Sequence, residues 1–210
     1  MAKQFKYTIG VDPSGAFIEG KGTTGWCVIN TNNEVLEVGT VSAKQYNTAT
    51  EYWNAHLILL SQLFKKYGKR TALSIEDYIL YKNYAMAQVN STLETVQLLG
   101  IIKYFCYINK HPYFLRPAVA VKKRWEDNIL VYKGILTRIN KHYIVPAIPT
   151  KALCDHERDA IRHAVHFNVF ENKEVSYGKN KTYTSHCTCT RDTVITQHPC
   201  KSTRHKTKTK

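Results

Sequence analysis

The chain has 210 residues, of which 43% are hydrophobic, enough for the core of one domain with room for a small appendage. Lys and Arg number 30 against 16 Asp and Glu, a formal net charge of +14, which favours a polyanionic partner such as nucleic acid and excludes an acidic disordered protein. No apolar run approaches the roughly 18 residues of a membrane span, and the N-terminus lacks the apolar stretch of a signal peptide. We therefore expect a cytoplasmic protein with reduced thiols and no membrane partner.

Half of the excess positive charge lies near the C-terminus. From Lys173 to Lys210 there are 9 Lys and Arg against 2 acidic residues, and no Leu, Phe, Trp or Met that could build a core. We expect a folded domain at residues 1–172 and a basic, disordered tail at 173–210 that holds phosphates through its charge. The alternative for part of the tail is a small Zn²⁺-binding element, for which the candidate ligands are Cys187, Cys189, His198, Cys200 and His205.

The body of the chain mixes short β-rich segments with longer helical patterns, which is typical of α/β proteins. The predicted elements are, in chain order, strands at Phe5–Val11, Gly25–Ile29 and Val35–Val41, a helix opened by a capping box at Thr48 and Glu51 and stopped at Gly68, a strand at Ala72–Ile75, a helix at about Ala85–Ile108, a strand at Tyr113–Leu115, helical stretches at Lys122–Leu130 and Ile135–His142, and a last helix at Asp155–Phe170. The first three strands can pair antiparallel, and the later two should run parallel to the first. We expect a five-stranded mixed sheet flanked by helices.

Two acidic residues follow strands that this topology places side by side. Asp12 ends the first strand and Glu76 ends the fourth, at the carboxyl edge where ligands bind in open α/β sheets. Each has a simpler explanation alone, because Asp12 could cap its own Pro-Ser-Gly turn and Glu76 could be an exposed residue past a strand end. Two carboxylates at one edge repel each other and need a compensating cation.

The last predicted helix carries a polar stripe. His156, Asp159 and His163 fall on one face, and the small residues Ala160 and Ala164 allow the helix to lie close to the sheet; an ordinary polar helix face is the alternative. Carboxylates and an imidazole around one point suit divalent cations, and Mg²⁺ prefers oxygen ligands completed by substrate phosphate. Two such ions, about 3.5 to 4 Å apart, support phosphodiester hydrolysis.

Four segments, in this order and spacing, resemble the RuvC-like Holliday junction resolvases of the ribonuclease H-like superfamily, and most of all their bacteriophage branch. The segments are IGVDPSG at Ile9–Gly15, TGWCVI at Thr24–Ile29, SIED at Ser74–Asp77 and HERDAIRHA at His156–Ala164. The resemblance implies a ribonuclease H-like fold and a homodimer. It also implies a Mg²⁺-dependent endonuclease, with Mn²⁺ able to substitute, that resolves Holliday junctions in branched DNA during phage recombination, replication or packaging.

The resemblance further implies a set of site residues. Asp12, Glu76, His156 and Asp159 match the family's metal ligands and catalytic residues, and His156 stands where many relatives have Asp. His156 binds metal or acts as a base only when neutral. Basic and aromatic residues nearby are expected to contact DNA, namely Lys21, Tyr81, Tyr84, Lys122, Lys123 and Arg124. The stretch Asn90–Gly100 resembles the helix that packs the family's dimer.

Other functions stay open at this point. A protein of this fold could bind branched DNA without cleaving it, or could be a ribonuclease that acts on RNA–DNA hybrids. An actin-like phosphotransferase is suggested by KGTTG at Lys21–Gly25, but such enzymes need two copies of this fold and the chain shows no repeat. If the protein is phage-encoded, the host cytoplasm is the expected location.

Overall fold

A computed structural model describes residues 4–18, 20–79 and 93–173. The elements in these ranges are strands β1 (Tyr7–Asp12), β2 (Thr23–Asn30) and β3 (Val35–Ser42), a short 3₁₀ helix (Ala43–Gln45), helix α1 (Ala49–Tyr67), strand β4 (Thr71–Asp77), helix α2 (Glu94–Ile108), strand β5 (Tyr113–Pro117), helices α3 (Ala118–Lys122) and α4 (Asp127–Tyr132), strands β6 (Thr137–Ile139), β7 (His142–Val145) and β8 (Ile148–Ala152), and helix α5 (Asp155–Phe170). They all lie in one unit, residues 1–174. The predicted tail and its candidate zinc ligands lie outside the described residues.

The main sheet has five strands in the order β3-β2-β1-β4-β5. Strands β1, β2 and β3 pair antiparallel, whereas β4 pairs parallel with both β1 and β5. The predicted mixed five-stranded sheet flanked by helices is therefore confirmed. Because β1 and β4 are parallel neighbours, their carboxyl ends meet at the same edge of the sheet.

The two faces of the sheet are covered by different helices. Ile9 and Val11 of β1 pack with the apolar faces of α1 and α2, and the alternation of a strand sends the residues between and after them to the opposite face. That opposite face is covered by α5, whose Ala160, Ile161 and Ala164 join a second core cluster. Asp12 is thereby directed to the side of the sheet on which α5 lies.

Glycines in the sheet allow α5 to approach it closely. A Cβ placed on Gly10 would lie 2.1 Å from the carbonyl oxygen of Ala160, and one on Gly25 would lie 2.1 Å from the carbonyl oxygen of His156. Any larger side chain at these positions would push the helix outward. Gly25 is paired with Asp12 across the β1–β2 ladder, so the close approach brings the first turn of α5 next to the end of β1.

One predicted helix is wrong. Residues Ile135–His142 do not form a helix but begin a second sheet, in which β6, β7 and β8 pair antiparallel in sequence order. Asn140 has a φ of 56°, the left-handed conformation that closes the tight turn between β6 and β7. Thr137, Ile139, Ile144 and Val145 are β-branched residues that favour this strand arrangement.

Other expectations are confirmed in detail or adjusted. The capping box of α1 is present, since the Thr48 side chain accepts a hydrogen bond from the Glu51 backbone and the Glu51 carboxylate accepts one from the Thr48 backbone. The last helix has the predicted bounds. The predicted Lys122–Leu130 helix is not continuous: the stretch includes the last residue of α3 and the first part of α4, with residues 123–126 between them. The start of the predicted helix at Ala85 lies outside the described residues. No helix in the described ranges is both long and apolar enough to cross a membrane.

Candidate metal centre

Three carboxylates from three distant parts of the sequence converge at the carboxyl edge of the main sheet. Asp12 ends β1, Glu76 lies near the end of β4, and Asp159 lies one turn into α5. One carboxylate oxygen from each lies within 4.8 Å of the others. Asp12 and Asp159 are buried and Glu76 is half-buried, so their mutual repulsion is weakly screened by solvent.

Lys122 supplies positive charge to this cluster. Its Nζ atom lies 2.7 Å from Oδ2 of Asp159 and 3.1 Å from Oε2 of Glu76. Burial alone would lower the pKa of this ammonium, but its contacts with Asp159 and Glu76 outweigh that effect and raise its pKa. Lys122 was expected to contact DNA; in the structure it reaches into the carboxylate cluster from the last residue of α3.

His156 is bound to Asp12. Its Nδ1 atom lies 2.7 Å from Oδ2 of Asp12, and the Nδ1–H group donates a hydrogen bond to this oxygen, so the imidazole presents its Nε2 atom away from the carboxylate. The hydrogen bond to Asp12 raises the pKa of His156. Burial in turn raises the pKa of Asp12, even though the imidazole opposes this shift.

A second imidazole holds Glu76. His163 is fully buried, and its Nε2 atom donates to Oε2 of Glu76 over 3.1 Å. Burial acts to raise the pKa of Glu76, but the hydrogen bond from His163 and the charge of Lys122 outweigh it and lower the pKa. The backbone carbonyl of His163 also accepts a hydrogen bond from the Ser74 hydroxyl, two residues before Glu76. His163 shares the predicted polar stripe of the helix, but its bond to Glu76 depends on the register between α5 and β4, which the sequence alone does not reveal.

Asp159 is held from its other side by Arg162. The Arg162 guanidinium donates to Oδ1 of Asp159 and, at 2.6 Å, to Oδ1 of Asp127 at the start of α4. Neither Arg162 nor Asp127 was predicted as part of the site. The pair Asp159–Arg162 at i and i+3 was the available signal in the sequence. Arg162 therefore links the position of the Asp159 carboxylate to α4, the helix that precedes the second sheet.

The turn that follows Asp12 is held by side chains from several elements. The Ser14 carbonyl accepts a hydrogen bond of 2.5 Å from the Tyr52 hydroxyl, and the Ser14 amide donates to the Thr24 hydroxyl. The Gly15 amide donates to the Thr95 hydroxyl, and a Cβ on Gly15 would collide with the backbone of α2. Thr24 in turn lies 2.8 Å from Nε2 of the buried His56. The turn is therefore fixed to α1, α2 and β2.

The remaining residues predicted to bind DNA have different surroundings. Lys123 and Arg124 are exposed, and the Arg124 guanidinium lies 4.1 Å from the centre of the Phe170 ring. Lys21 is exposed on the segment before β2. Tyr81 and Tyr84 lie outside the described residues. Cys154 is exposed just before α5, whereas Cys27 and Cys106 are buried.

Comparison with solved structures identifies the fold. The chain is similar to Thermus thermophilus RuvC in complex with a Holliday junction substrate, with a TM-score of 0.53, 13% identity, and coverage of 76% of this chain and 90% of that chain. A second structure of Thermus thermophilus RuvC gives a TM-score of 0.50 at 11% identity, with the same coverage. The fold is RuvC-like. No family model and no curated protein matches the sequence, so the likeness rests on the three-dimensional arrangement.

The donor set of this site fits a divalent cation. Carboxylate oxygens are the ligands that Mg²⁺ prefers, and Asp12, Glu76 and Asp159 offer three of them around one point. Buried anions need compensating charge or hydrogen bonds, and in the structure Lys122 supplies the positive charge while the imidazoles of His156 and His163 hydrogen-bond to Asp12 and Glu76. Asp12, Glu76 and Asp159 are therefore the residues that could hold a divalent cation, with His156 beside them.

Proposed function

We propose that this protein is a metal-dependent endonuclease that cleaves branched DNA, four-way Holliday junctions above all, by hydrolysis of a phosphodiester bond. The observation that carries the proposal is the convergence of Asp12, Glu76 and Asp159 within 4.8 Å at the carboxyl edge of a RuvC-like sheet. The net charge of +14 supports a polyanionic substrate. A DNA substrate implies action in the cytoplasm, which for a phage protein is that of the host.

The chemistry divides between the cation and the residues of the chain. A divalent cation held by the carboxylates supplies an activated water and stabilises charge on the leaving oxygen. The Nδ1–H group of His156 donates a hydrogen bond to Asp12. The Nε2 atom of the neutral imidazole can therefore accept a proton from water. Lys122, on the same carboxylates, offers positive charge to a phosphate that approaches the site.

A small cleft adjoins Glu76 and gives a strand of DNA room to approach. It has a volume of about 150 Å³ and is lined by Pro13, Glu76, Asp77, Tyr78, Ile79, Thr95 and Ala118. The half-buried Tyr78 offers a ring on which an unpaired base can stack. The cleft therefore favours a substrate with unpaired or distorted nucleotides, such as the centre of a junction.

Cleavage assays test this function. Wild type is expected to cut a labelled four-way junction in Mg²⁺, and Asp12→Asn and Glu76→Gln are expected to bind it without cutting. Asp155→Asn is the matched control, because this carboxylate lies on the same helix but is 87% exposed. Wild-type activity that survives in both site variants would contradict the proposal. Binding without cleavage by wild type would indicate a non-cleaving DNA-binding protein, and preference for an RNA–DNA hybrid competitor would indicate a ribonuclease.

We also propose that the protein acts as a homodimer, since a two-fold dimer suits cleavage of opposite strands of a junction. Helix α2 exposes Tyr104, Tyr107 and Ile108, an apolar surface of the kind that marks an interface. With α1 it borders a groove of about 430 Å³, lined by Leu57, Gln97, Gly100, Ile101, Tyr104, Phe105 and Ile108. Sedimentation should show a dimer for wild type and a monomer for Tyr104→Lys, with Tyr132→Lys, at an exposed tyrosine on α4, as the control. A monomeric wild type would contradict the dimer.

A further inference from the structure

The second sheet contains a hairpin whose charge the candidate metal centre does not use. Residues 128–154 include four Lys or Arg and no acidic residue. Strands β6 and β7 form a two-stranded ribbon, in which Ile139 pairs with His142 across a turn made by Asn140 and Lys141. We call β6, β7 and this turn the basic hairpin. All residues from Thr137 to His142 are exposed.

The positive charges of the basic hairpin differ from those nearby in having no acidic partner. Lys151, Arg158 and Arg162 each contact carboxylates. No carboxylate among residues 4–18, 20–79 and 93–173 forms an ion pair with Arg138 or Lys141. Unbalanced cations grouped on one exposed ribbon are the electrostatic footprint of a phosphate-binding surface.

The tip of the basic hairpin is held in a defined shape. The Arg138 guanidinium donates to the Asn140 carbonyl over 3.2 Å, and it lies 5.9 Å from the centre of the Tyr143 ring, its cross-strand partner. Arg158 lies 5.0 Å from the same ring. An arginine restrained in this way loses less conformational entropy when it binds a ligand than a free one does.

The basic hairpin is anchored beside the candidate metal centre. The Leu153 amide, immediately before α5, donates to the Tyr143 carbonyl over 2.8 Å. Lys151 of β8 contacts the Glu157 carboxylate in the first turn of α5 at 2.5 Å. That same turn carries His156, so the ribbon and the carboxylate cluster are attached to one end of one helix.

We propose that the tip of the basic hairpin, through Arg138 and Lys141, binds the phosphate backbone of a duplex arm of the DNA whose branch point occupies the metal centre. A two-stranded ribbon has the width that a DNA groove admits, and cations at its tip contact phosphates without reading sequence. The inference rests on the proposed DNA substrate, but its test requires binding only, not cleavage.

The test uses the full chain with Asp12→Asn, which prevents cleavage, and measures the affinity for a labelled linear duplex and a four-way junction over a series of KCl concentrations. Each phosphate contact contributes about 0.9 to the slope of log affinity against log salt. Arg138→Gln with Lys141→Gln should therefore reduce the slope by about 1.8 on both DNAs, and Lys141→Gln alone by about 0.9. Lys65→Gln with Lys69→Gln, two exposed lysines at the opposite end of the sheet, should leave the slope unchanged.

An unchanged slope in the hairpin variants, or an equal loss in the control pair, overturns the inference. Lys141→Gln alone keeps the test valid if the double variant fails to fold, because Lys141 lies in an exposed turn. Failure of the proposed function gives a different result, since wild type would then not cut a four-way junction in Mg²⁺, whatever the slope of the hairpin variants.

Discussion

The ammonium of Lys122 lies 2.7 Å from Oδ2 of Asp159 and 3.1 Å from Oε2 of Glu76, at the place where a cation would share the same oxygens. The side chain is 36% exposed and sits on the last residue of α3, so it can move outward without disturbing the core. Lys122 and a divalent cation would therefore compete for the carboxylates.

Lys122→Met should increase the affinity for Mn²⁺ by about tenfold, because removal of a partly exposed charge near the cluster relieves roughly 1.4 kcal/mol of competition. Isothermal titration calorimetry on the metal-free protein measures this directly. Lys123→Met is the control, since it removes a neighbouring exposed lysine that does not contact the cluster. Equal affinities in the wild type and Lys122→Met would show that the ammonium does not compete.

Arg162→Gln should reduce junction cleavage about 10- to 100-fold, as expected when a residue that orients a metal ligand is lost. Arg162 joins Asp159 to Asp127, and without it the Asp159 carboxylate loses the contact that fixes its Oδ1 atom and keeps only that of Lys122 on Oδ2. Single-turnover cleavage rates are the measurement. Arg158→Gln is a matched control, because Arg158 lies on the same helix and contacts Asp127 but not Asp159; a similar loss in both variants would point to a general effect of α4 displacement.

Gly25→Ala should destabilise the fold by about 1 to 3 kcal/mol, the usual cost of overpacking, and should also lower cleavage. The added methyl would lie 2.1 Å from the His156 carbonyl oxygen, so α5 must shift and carry His156 and Asp159 with it. Urea unfolding and cleavage rates give the two readouts. Gly100→Ala, in the exposed middle of α2 with open space around it, should instead leave stability equal or raise it by up to about 1 kcal/mol. Equal stability of Gly25→Ala and wild type would show that the helix approach is not tight.

The buried His56 should make stability fall in acid. Burial lowers the pKa of His56 from 6.5 to about 4, so between these values the unfolded chain binds the proton that the folded chain excludes. The free energy of unfolding is therefore highest above pH 6.5. It falls by about 3 kcal/mol as the pH is lowered towards 4. Unfolding free energies of wild type and His56→Gln, measured across this range, should converge by that amount as the pH falls. Parallel curves would mean that His56 accepts a proton in the folded state.

Local patterns in the sequence are sufficient to predict the main sheet and the carboxylates. The strand alternation around Ile9 and Val11, the capping box at Thr48 and the polar stripe from His156 each depend on residues close together in the chain. The parallel pairing of β1 with β4 then follows from general rules of connection. For this reason the residue pattern alone is enough to expect Asp12, Glu76 and Asp159 at one edge of the sheet.

The second sheet and the cations of the site could not be predicted in the same way. Ile135 and Ile139 are four residues apart, a spacing that predicts a helix. The β-branched residues of the same segment favour a strand, and the strand is the conformation that forms. The bond from His163 to Glu76 and the place of Lys122 among the carboxylates depend on contacts across 87 and 46 residues. Such contacts are set by the packing of α5 and α3 on the sheet, not by spacing along the chain.

The bracing of the turn after Asp12 has a consequence for how a substrate fits. Because Ser14 and Gly15 are tied to Tyr52, Thr24 and Thr95, this rim of the cleft behaves as a rigid wall. With the proposed DNA substrate, the deformation needed for a productive complex on this side would have to come from the nucleic acid, at an energy cost set by how easily its strands bend and unstack. DNA that is already unpaired or bent at its branch point would bind at the lowest energy cost. Selectivity can therefore arise from how easily the DNA deforms, without contacts that read the bases.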